Sequence, residues 1–252
     1  VDQRAADAGA LLHAARQLPG KLLFHATQAD AGQQATGAFR VLLAPVLELL
    51  LRQLSNFGIG DVVIAVNHLR HLIQAFFGGG SSLGMNIAYA TEDHPLGTCG
   101  PVAQVLDDMA DDFLLLNGDL LTDLDFSALH DRHRQRNLDA TVAGIRRKIR
   151  VEYGVLDVDP DARLTGLREK PEMEFVISMG VYALRRDAIR PFLTPGEPLD
   201  MPQLLAAMIA AKSRVECFVT DCKWLDIGRP EDYGVAQAIV SDGYDAFVKP
   251  SP

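Results

Sequence analysis

Apolar positions from about residue 42 onward fall into two alternating rhythms. Leu47, Leu50, Leu51 and Leu54 recur at i, i+3, i+4 and i+7, the spacing of one helical face, with Pro45 near the start and Gly58 as the stop. Val62-Val63-Ile64-Ala65-Val66 is instead unbroken and mostly β-branched, the pattern of a strand covered on both faces. A helix over 69–77 ends in Gly78-Gly79-Gly80, and 86–91 reads as a strand. After the loop from Glu92 to Gly100, Pro101 opens a helix that leads into a strand over 113–117. Such alternation of strand and helix predicts right-handed crossovers and a mainly parallel sheet.

The middle of the chain is richer in strands: 140–145, 154–158, 163–167 and 176–184, with a turn at Asp159-Pro160-Asp161. Short helices over 187–193 and 202–211, a strand over 215–219 and a last helix beginning near Pro230 complete the pattern. The first forty residues differ. They are rich in alanine and glutamine, suggest a helix only over 10–18 and a first strand over 21–26, and carry no decisive pattern over 27–38. The expected division is therefore an atypical segment over 1–40 and one α/β domain with a half-open, mixed sheet over 41–252.

Composition narrows the partners. A chain of 252 residues with 48% hydrophobic and 23% charged residues has ordinary globular usage and enough length to bury a sizeable core. Its net charge of -9 argues against a general nucleic-acid binder, which needs a basic stripe. No apolar run approaches the roughly 20 residues that span a bilayer, so no membrane partner is expected. With valine at position 1 and no signal peptide in view, a cytoplasmic location is the expectation. Cys99, Cys217 and Cys222 lack zinc-ligand spacing and read as reduced, mostly buried thiols.

Two apolar runs end on a carboxylate. Phe113 to Leu116 leads to Asn117-Gly118-Asp119, and Trp224-Leu225 leads to Asp226-Ile227-Gly228. Such runs deliver carboxylates to the C-terminal edge of a sheet, where open α/β folds bind ligands. Two carboxylates there suit a hard divalent cation gripping phosphate oxygens, which points to chemistry on a nucleotide or phosphosugar. Other acidic and imidazole groups have plainer readings. Asp123-Leu124-Asp125 imitates a metal-binding Asp-x-Asp, but Asp125 also stands where it would cap a helix over 126–136. His130 and His133, interleaved with Arg132, Arg134 and Arg136, read as a solvated helix face, and His68 and His71 likewise. Trp224 reads as a core residue bracing the strand that ends at Asp226.

Six segments in order then resemble the sugar-1-phosphate nucleotidylyltransferases: Pro95-Leu96-Gly97-Thr98-Cys99-Gly100, Asn117-Gly118-Asp119, Tyr153-Gly154-Val155, Glu169-Lys170-Pro171, Ser178-Met179-Gly180-Val181-Tyr182 and Trp224-Leu225-Asp226-Ile227-Gly228. The resemblance is strongest to the mannose- or heptose-1-phosphate guanylyltransferase and glucose-1-phosphate thymidylyltransferase group. It implies a Rossmann-like nucleotidyltransferase fold over 41–252 and transfer of a nucleotidyl group from an NTP to a hexose or heptose 1-phosphate. By resemblance, Asp119 and Asp226 share a Mg2+ ion, Lys170 neutralises the attacking phosphate, and Glu169 accepts from sugar hydroxyls. Gly154, Ser178 and Gly180 border the sugar; Glu92, Gly97, Thr98 and Gly118 border the nucleotide. Where many relatives carry Asn-Ala, this chain has Ser178-Met179. Glu92 as an acceptor-only carboxylate matches the adjacent N–H donors of guanine and tilts the expectation toward GTP over dTTP or UTP. A homo-oligomer is compatible with this reading.

The family's glycine-rich Gly-Gly-x-Gly-Thr-Arg-Leu loop and its Pro-Lys-Pro are missing. With a first strand over 21–26, the loop becomes 27–43 and offers only Gly32, Gly37 and Arg40. Two accounts stay open: a catalytically impaired relative that binds a nucleotide sugar, or a reading-frame shift upstream of about codon 40. A metal-dependent glycosyltransferase using Asp123 and Asp125 is the other enzyme class.

Overall fold

The computed structural model describes residues 21–25, 37–66, 70–92, 94–227 and 232–241. The expected helix over 10–18, most of the 27–38 stretch, His68 and Gly228 lie outside the described residues. Along the chain, β1 (Lys21–His25) is followed by α1 (Gly37–Asn56), β2 (Asp61–Val66), α2 (Arg70–Phe77) and β3 (Asn86–Thr91). Next come α3 (Val102–Val105), β4 (Asp112–Asn117), β5 (Leu120–Thr122), α4 (Phe126–Gln135) and β6 (Ala140–Arg150). A hairpin of β7 (Val155–Val158) and β8 (Leu164–Arg168) leads to β9 (Glu172–Arg185), α5 (Arg186–Ile189) and α6 (Met201–Ala210). Finally come β10 (Val215–Thr220), β11 (Trp224–Asp226) and α7 (Tyr233–Ser241).

Seven strands form one sheet in the order β10-β6-β9-β4-β1-β2-β3. The pairs β1–β2, β1–β4, β2–β3 and β6–β10 are parallel, and β9 runs antiparallel to both β4 and β6. The mixed, mainly parallel sheet expected from the sequence is present. The first strand is central: Leu22 pairs with Val62 on one side and Leu114 on the other. Both β1 and the beginning of α1 precede residue 41, so residues assigned to the atypical segment sit in the middle of the fold.

The unbroken apolar strands are buried on both faces, as their composition requires. Val62, Ile64, Leu114 and Leu116 pack with Leu47, Leu51, Leu54, Ile73 and Phe126 from α1, α2 and α4. Val63, Ala65, Phe113 and Leu115 face the other layer, with Val102, Ile189, Met201, Leu204 and Met208. A third, smaller cluster joins Val46 and Leu49 of α1 to Leu121, Ile227 and Ala236.

Three expectations need correction. Pro45 lies inside α1, not near its start. A proline within a helix loses one backbone hydrogen bond and crowds the preceding turn, so local reasoning places it at the N-terminus. Here Leu47, Leu50 and Leu51 on one side and Val46 and Leu49 on another are all buried, so packing on two faces outweighs that local cost. Second, His130 and His133 are not on a solvated face, being 4% and 0% exposed. His133 Nδ1 lies 2.9 Å from Thr141 Oγ1, and Nε2 lies 3.4 Å from Asp112 Oδ1. Asp112 is also 3.2 Å from Arg185 Nε, so the imidazole sits against the Asp112–Arg185 ion pair at the start of β4. His71, by contrast, is exposed. Third, only Cys99 of the three free thiols is buried; Cys222 is half-buried and Cys217 exposed.

Burial holds the His133 pKa below its ordinary value, with Arg185 and His130 adding to the effect against the pull of Asp112. His130 shifts the same way, mainly through burial. A base with a depressed native pKa binds its proton more readily when unfolded, so stability falls as pH drops below the unfolded histidine value of about 6.5. The expected outcome is a loss of unfolding free energy between pH 7.5 and 5.5 in urea titrations, with a shallower slope in His133→Asn.

Candidate active site

The parallel strands β1, β2, β3, β4 and β6 all point their C-terminal ends to one edge, where open α/β sheets bind ligands. At this edge β4 ends at Asn117, and Gly118 and Asp119, both buried, make the turn into β5. The short strand β5 runs antiparallel to β11, with Asp226 opposite Leu120 and Leu225 opposite Leu121. Ile227 N–H donates to the Asp119 carbonyl at 2.9 Å. The backbone thus sets Asp119, 4% exposed, beside the exposed Asp226. No group of three or more His, Cys, Asp or Glu suited to a metal occurs among the described residues. Two carboxylates fit a magnesium ion, which takes one or two from the protein and the rest of its shell from water and phosphate oxygens.

Several bonds hold β11 in place. Thr122 Oγ1 donates to the Lys223 carbonyl at 2.8 Å, and Lys223 N–H donates to Asp123 Oδ1 at 2.6 Å. The Trp224 indole N–H donates to the Met179 carbonyl at 2.9 Å, tying β11 to β9. Arg147 donates to the Trp224 carbonyl at 3.1 Å and stacks 5.4 Å from the centre of its ring. Asp125 caps α4 by accepting from Ala128 N–H at 2.9 Å, as its position in the sequence suggested. Asp123 and Asp125 are therefore both engaged by backbone amides, which weakens the Asp-x-Asp metal reading.

Next to Asn117, β9 bulges. Its register against β6 shifts between Tyr182, opposite Val142, and Ser178, opposite Gly144. Gly180 turns the bulge with φ +72°, and a Cβ there would stand 2.8 Å from Asn117 Nδ2. Both backbone sign and space demand glycine. Ser178 Oγ lies 3.2 Å from Tyr182 Oη, so the exposed serine is tied to a buried phenol whose pKa burial raises.

Beyond this edge, β6 and β9 continue as a two-stranded arm that carries the β7–β8 hairpin. A Cβ on Gly154 would stand 3.1 Å from Glu169 Oε2, which brings these two expected sugar contacts together. Lys170, exposed, turns the chain between β8 and β9 with φ +42°, an uncommon value for a residue with a side chain.

The loop from Glu92 to Gly100 borders the same edge. Glu92, 6% exposed, accepts from Leu96 N–H at 2.9 Å, and burial raises its pKa against the lowering effect of that bond and of His94. Gly97 has φ +76°, and a Cβ there would stand 2.6 Å from Asp200 Oδ1. Thr98 N–H donates to the same oxygen at 2.9 Å, and Thr98 Oγ1 accepts from Met201 N–H at 2.8 Å. The Cys99 thiol, fully buried behind the loop, is pushed up to about 12 by burial and by Asp200.

Sequence reasoning placed Asn117 in the motif that leads to Asp119 but gave it no part in the Gly180 bulge, and it missed Arg147 and Asp200 as parts of this region. Only Asp200 left a local signal, an acidic residue just ahead of Met201-Pro202 at a helix start.

Residues 32–243 match the sequence model of the nucleotidyl transferase family. The mannose-1-phosphate guanylyltransferase of Mycobacterium tuberculosis is 31% identical over 212 residues, covering 82% of this chain and 58% of the relative. The UTP–glucose-1-phosphate uridylyltransferase of Synechocystis is 27% identical over 212 residues, covering 77% of this chain and 54% of that protein. The chain thus spans little more than half the length of these curated relatives. The crystal structure of HddC from Yersinia pseudotuberculosis, complexed with GMP-PN, superposes with a TM-score of 0.65 at 21% identity, covering 86% of this chain and 97% of that one. With the family model spanning from ahead of α1 to the end of α7, and the same fold found in that structure, the chain belongs to the nucleotidyl transferase family.

Proposed function

We propose that this chain joins an NTP to a sugar 1-phosphate, giving a nucleotide sugar and pyrophosphate, with residues 41–252 and β1 as its catalytic domain. The observation that supports this most directly is the pairing of β5 with β11, which puts Asp226 opposite Leu120, one residue beyond Asp119, in a family fold. In the reaction, a sugar-phosphate oxygen bonds to the α-phosphorus while the bond from that phosphorus to the β-phosphate's bridging oxygen breaks. The protein has little covalent work, so positioning and charge neutralisation supply the catalysis. Asp119 and Asp226 would hold Mg2+, whose chemistry is to neutralise and orient phosphate oxygens.

Lys170 is proposed to neutralise the incoming phosphate, and Glu169 to accept from sugar hydroxyls. Gly154 and Gly180 are proposed to let backbone approach the sugar beside Ser178, while Glu169 and Asn117 fill the space their side chains would take. Glu92, Gly97, Thr98 and Gly118 frame the nucleotide. GTP is the favoured nucleotidyl donor, on the acceptor character of Glu92 and the guanylyltransferase among the relatives. None of the helices described is long and apolar enough to cross a membrane. A cytoplasmic site of action, where NTPs are made and held, fits these substrates.

One sequence feature favours a second reading. The missing glycine-rich loop and Pro-Lys-Pro would remove donors to the departing pyrophosphate, each worth about 3–4 kcal/mol in comparable sites. A chain so impaired would bind a nucleotide sugar without making one.

Pyrophosphate release from GTP, dTTP and UTP with hexose 1-phosphates, with and without magnesium, tests the proposal. Release that requires both substrates and metal supports it; nucleotide-sugar consumption without pyrophosphate would point to a glycosyltransferase, and binding without product to the impaired relative. Asp119→Asn and Asp226→Asn should each lower kcat about 100- to 1,000-fold, the scale seen when one transition-state contact is lost. Lys170→Ala should raise KM for the sugar phosphate more than KM for the nucleotide, measured in the same assay. Turnover of GTP should exceed that of dTTP; a clear dTTP preference would remove the argument from Glu92.

A further inference from the structure

We propose that Asp200, acting through Thr98, is a positioning residue that sets nucleotide affinity, so that the 95–100 loop takes its shape from α6 rather than from its own sequence. The inference rests on the reading that this loop borders the nucleotide, and it changes the part assigned to Thr98.

Three consecutive residues at the start of α6 hold the loop. Leu199 N–H donates to the Leu96 carbonyl at 2.8 Å, and the Leu199 carbonyl accepts from Cys99 N–H at 2.8 Å and Gly100 N–H at 3.0 Å. Asp200 Oδ1 accepts from Thr98 N–H at 2.9 Å and faces Thr98 Oγ1 at 3.4 Å. Met201 N–H completes the set on Thr98 Oγ1 at 2.8 Å. The amide and hydroxyl of Thr98 are both directed at α6, which leaves neither for a base edge. Gly97 presses its Cα against the same carboxylate and the Leu199 carbonyl, where any side chain would collide. At the front of the loop, Glu92 Oε2 takes Leu96 N–H, so both sides are fixed.

The anchor itself is rigid. Met201, Leu204 and Met208 are buried in the core layer that also holds Cys99 and Val102 from the loop's far end. Gln203 Oε1 accepts from Asp200 N–H at 3.0 Å, which fixes the backbone from which the carboxylate reaches the loop. A loop held before the ligand arrives binds more tightly, because its ordering cost is met during folding. Asp200 is thus a determinant of nucleotide affinity that touches no substrate.

The test uses the full chain, with GTP binding by equilibrium titration and steady-state turnover with mannose 1-phosphate. Asp200→Ala should raise Kd and KM for GTP about tenfold, the worth of one hydrogen bond to a charged group, and Thr98→Val, which keeps its amide bond to Asp200 and loses the Oγ1 acceptor for Met201, about fivefold. KM for mannose 1-phosphate should move less than about twofold on that scale. Asp200→Asn, whose Oδ1 still accepts, should return KM for GTP close to that of the unchanged chain. Equal rises in both KM values, an unmoved KM for GTP in folded Thr98→Val, or no rescue by Asp200→Asn would overturn the proposal. If the unchanged chain binds GTP without turning it over, the transfer reading fails while the Kd comparison still decides this one. If it binds none of GTP, dTTP and UTP, both fall.

Discussion

The candidate site depends on one short pairing, that of β5 with β11. Three residues face three residues, Trp224 with Thr122, Leu225 with Leu121 and Asp226 with Leu120. A two-stranded ladder of this size has little stability alone. It persists because Leu121 and Ile227 are buried with Val46, Leu49 and Ala236, and because Asp123, Thr122 and Met179 hold the approach to β11 by hydrogen bonds. Without it, the backbones at Asp119 and Asp226 would have no reason to run side by side. Any cation shared between them inherits its position from that strand pair.

Around this point the fold assembles groups of different origin. The parallel strands bring their ends to one edge, while β9, running the other way, delivers the Ser178–Gly180 bulge to the same place. The direction of β9 therefore matters: a parallel strand there would have carried those residues to the opposite edge. Outside the sheet, the β6–β9 arm and its hairpin bring Gly154 to Glu169, and α6 fixes the 95–100 loop.

The buried side of the sheet follows another logic. His133, Asp112, Arg185 and Asp139 form a polar network at the end opposite the site, with Arg185 Nη1 3.8 Å from Asp139 Oδ1. Such groups are tolerable inside a protein because each has a partner, and removing one partner leaves a costly orphan. The network contributes to holding β4, β6 and β9 in register and takes no part in the proposed chemistry.

Much of this was legible in the chain. The apolar run 62–66 could satisfy its burial only between two layers, and the Asp125 cap marks a place where backbone geometry is dictated locally, whereas the glycines at 97 and 180 answer to Asp200 and Asn117 far along the chain. The sequence by itself determined most of the strand and helix order from Leu42 onward, without β5, together with the α/β class and the two carboxylates ending apolar strands. Only the tertiary structure decided that Pro45 stays inside a helix, that His130 and His133 are buried, that Asp226 lies beside Asp119, and that Asp200 holds Thr98. The physical reason is range. Periodicity, caps and turns report interactions within a few residues, whereas these four outcomes come from contacts between segments far apart in the chain, whose strength exists only once the core has closed.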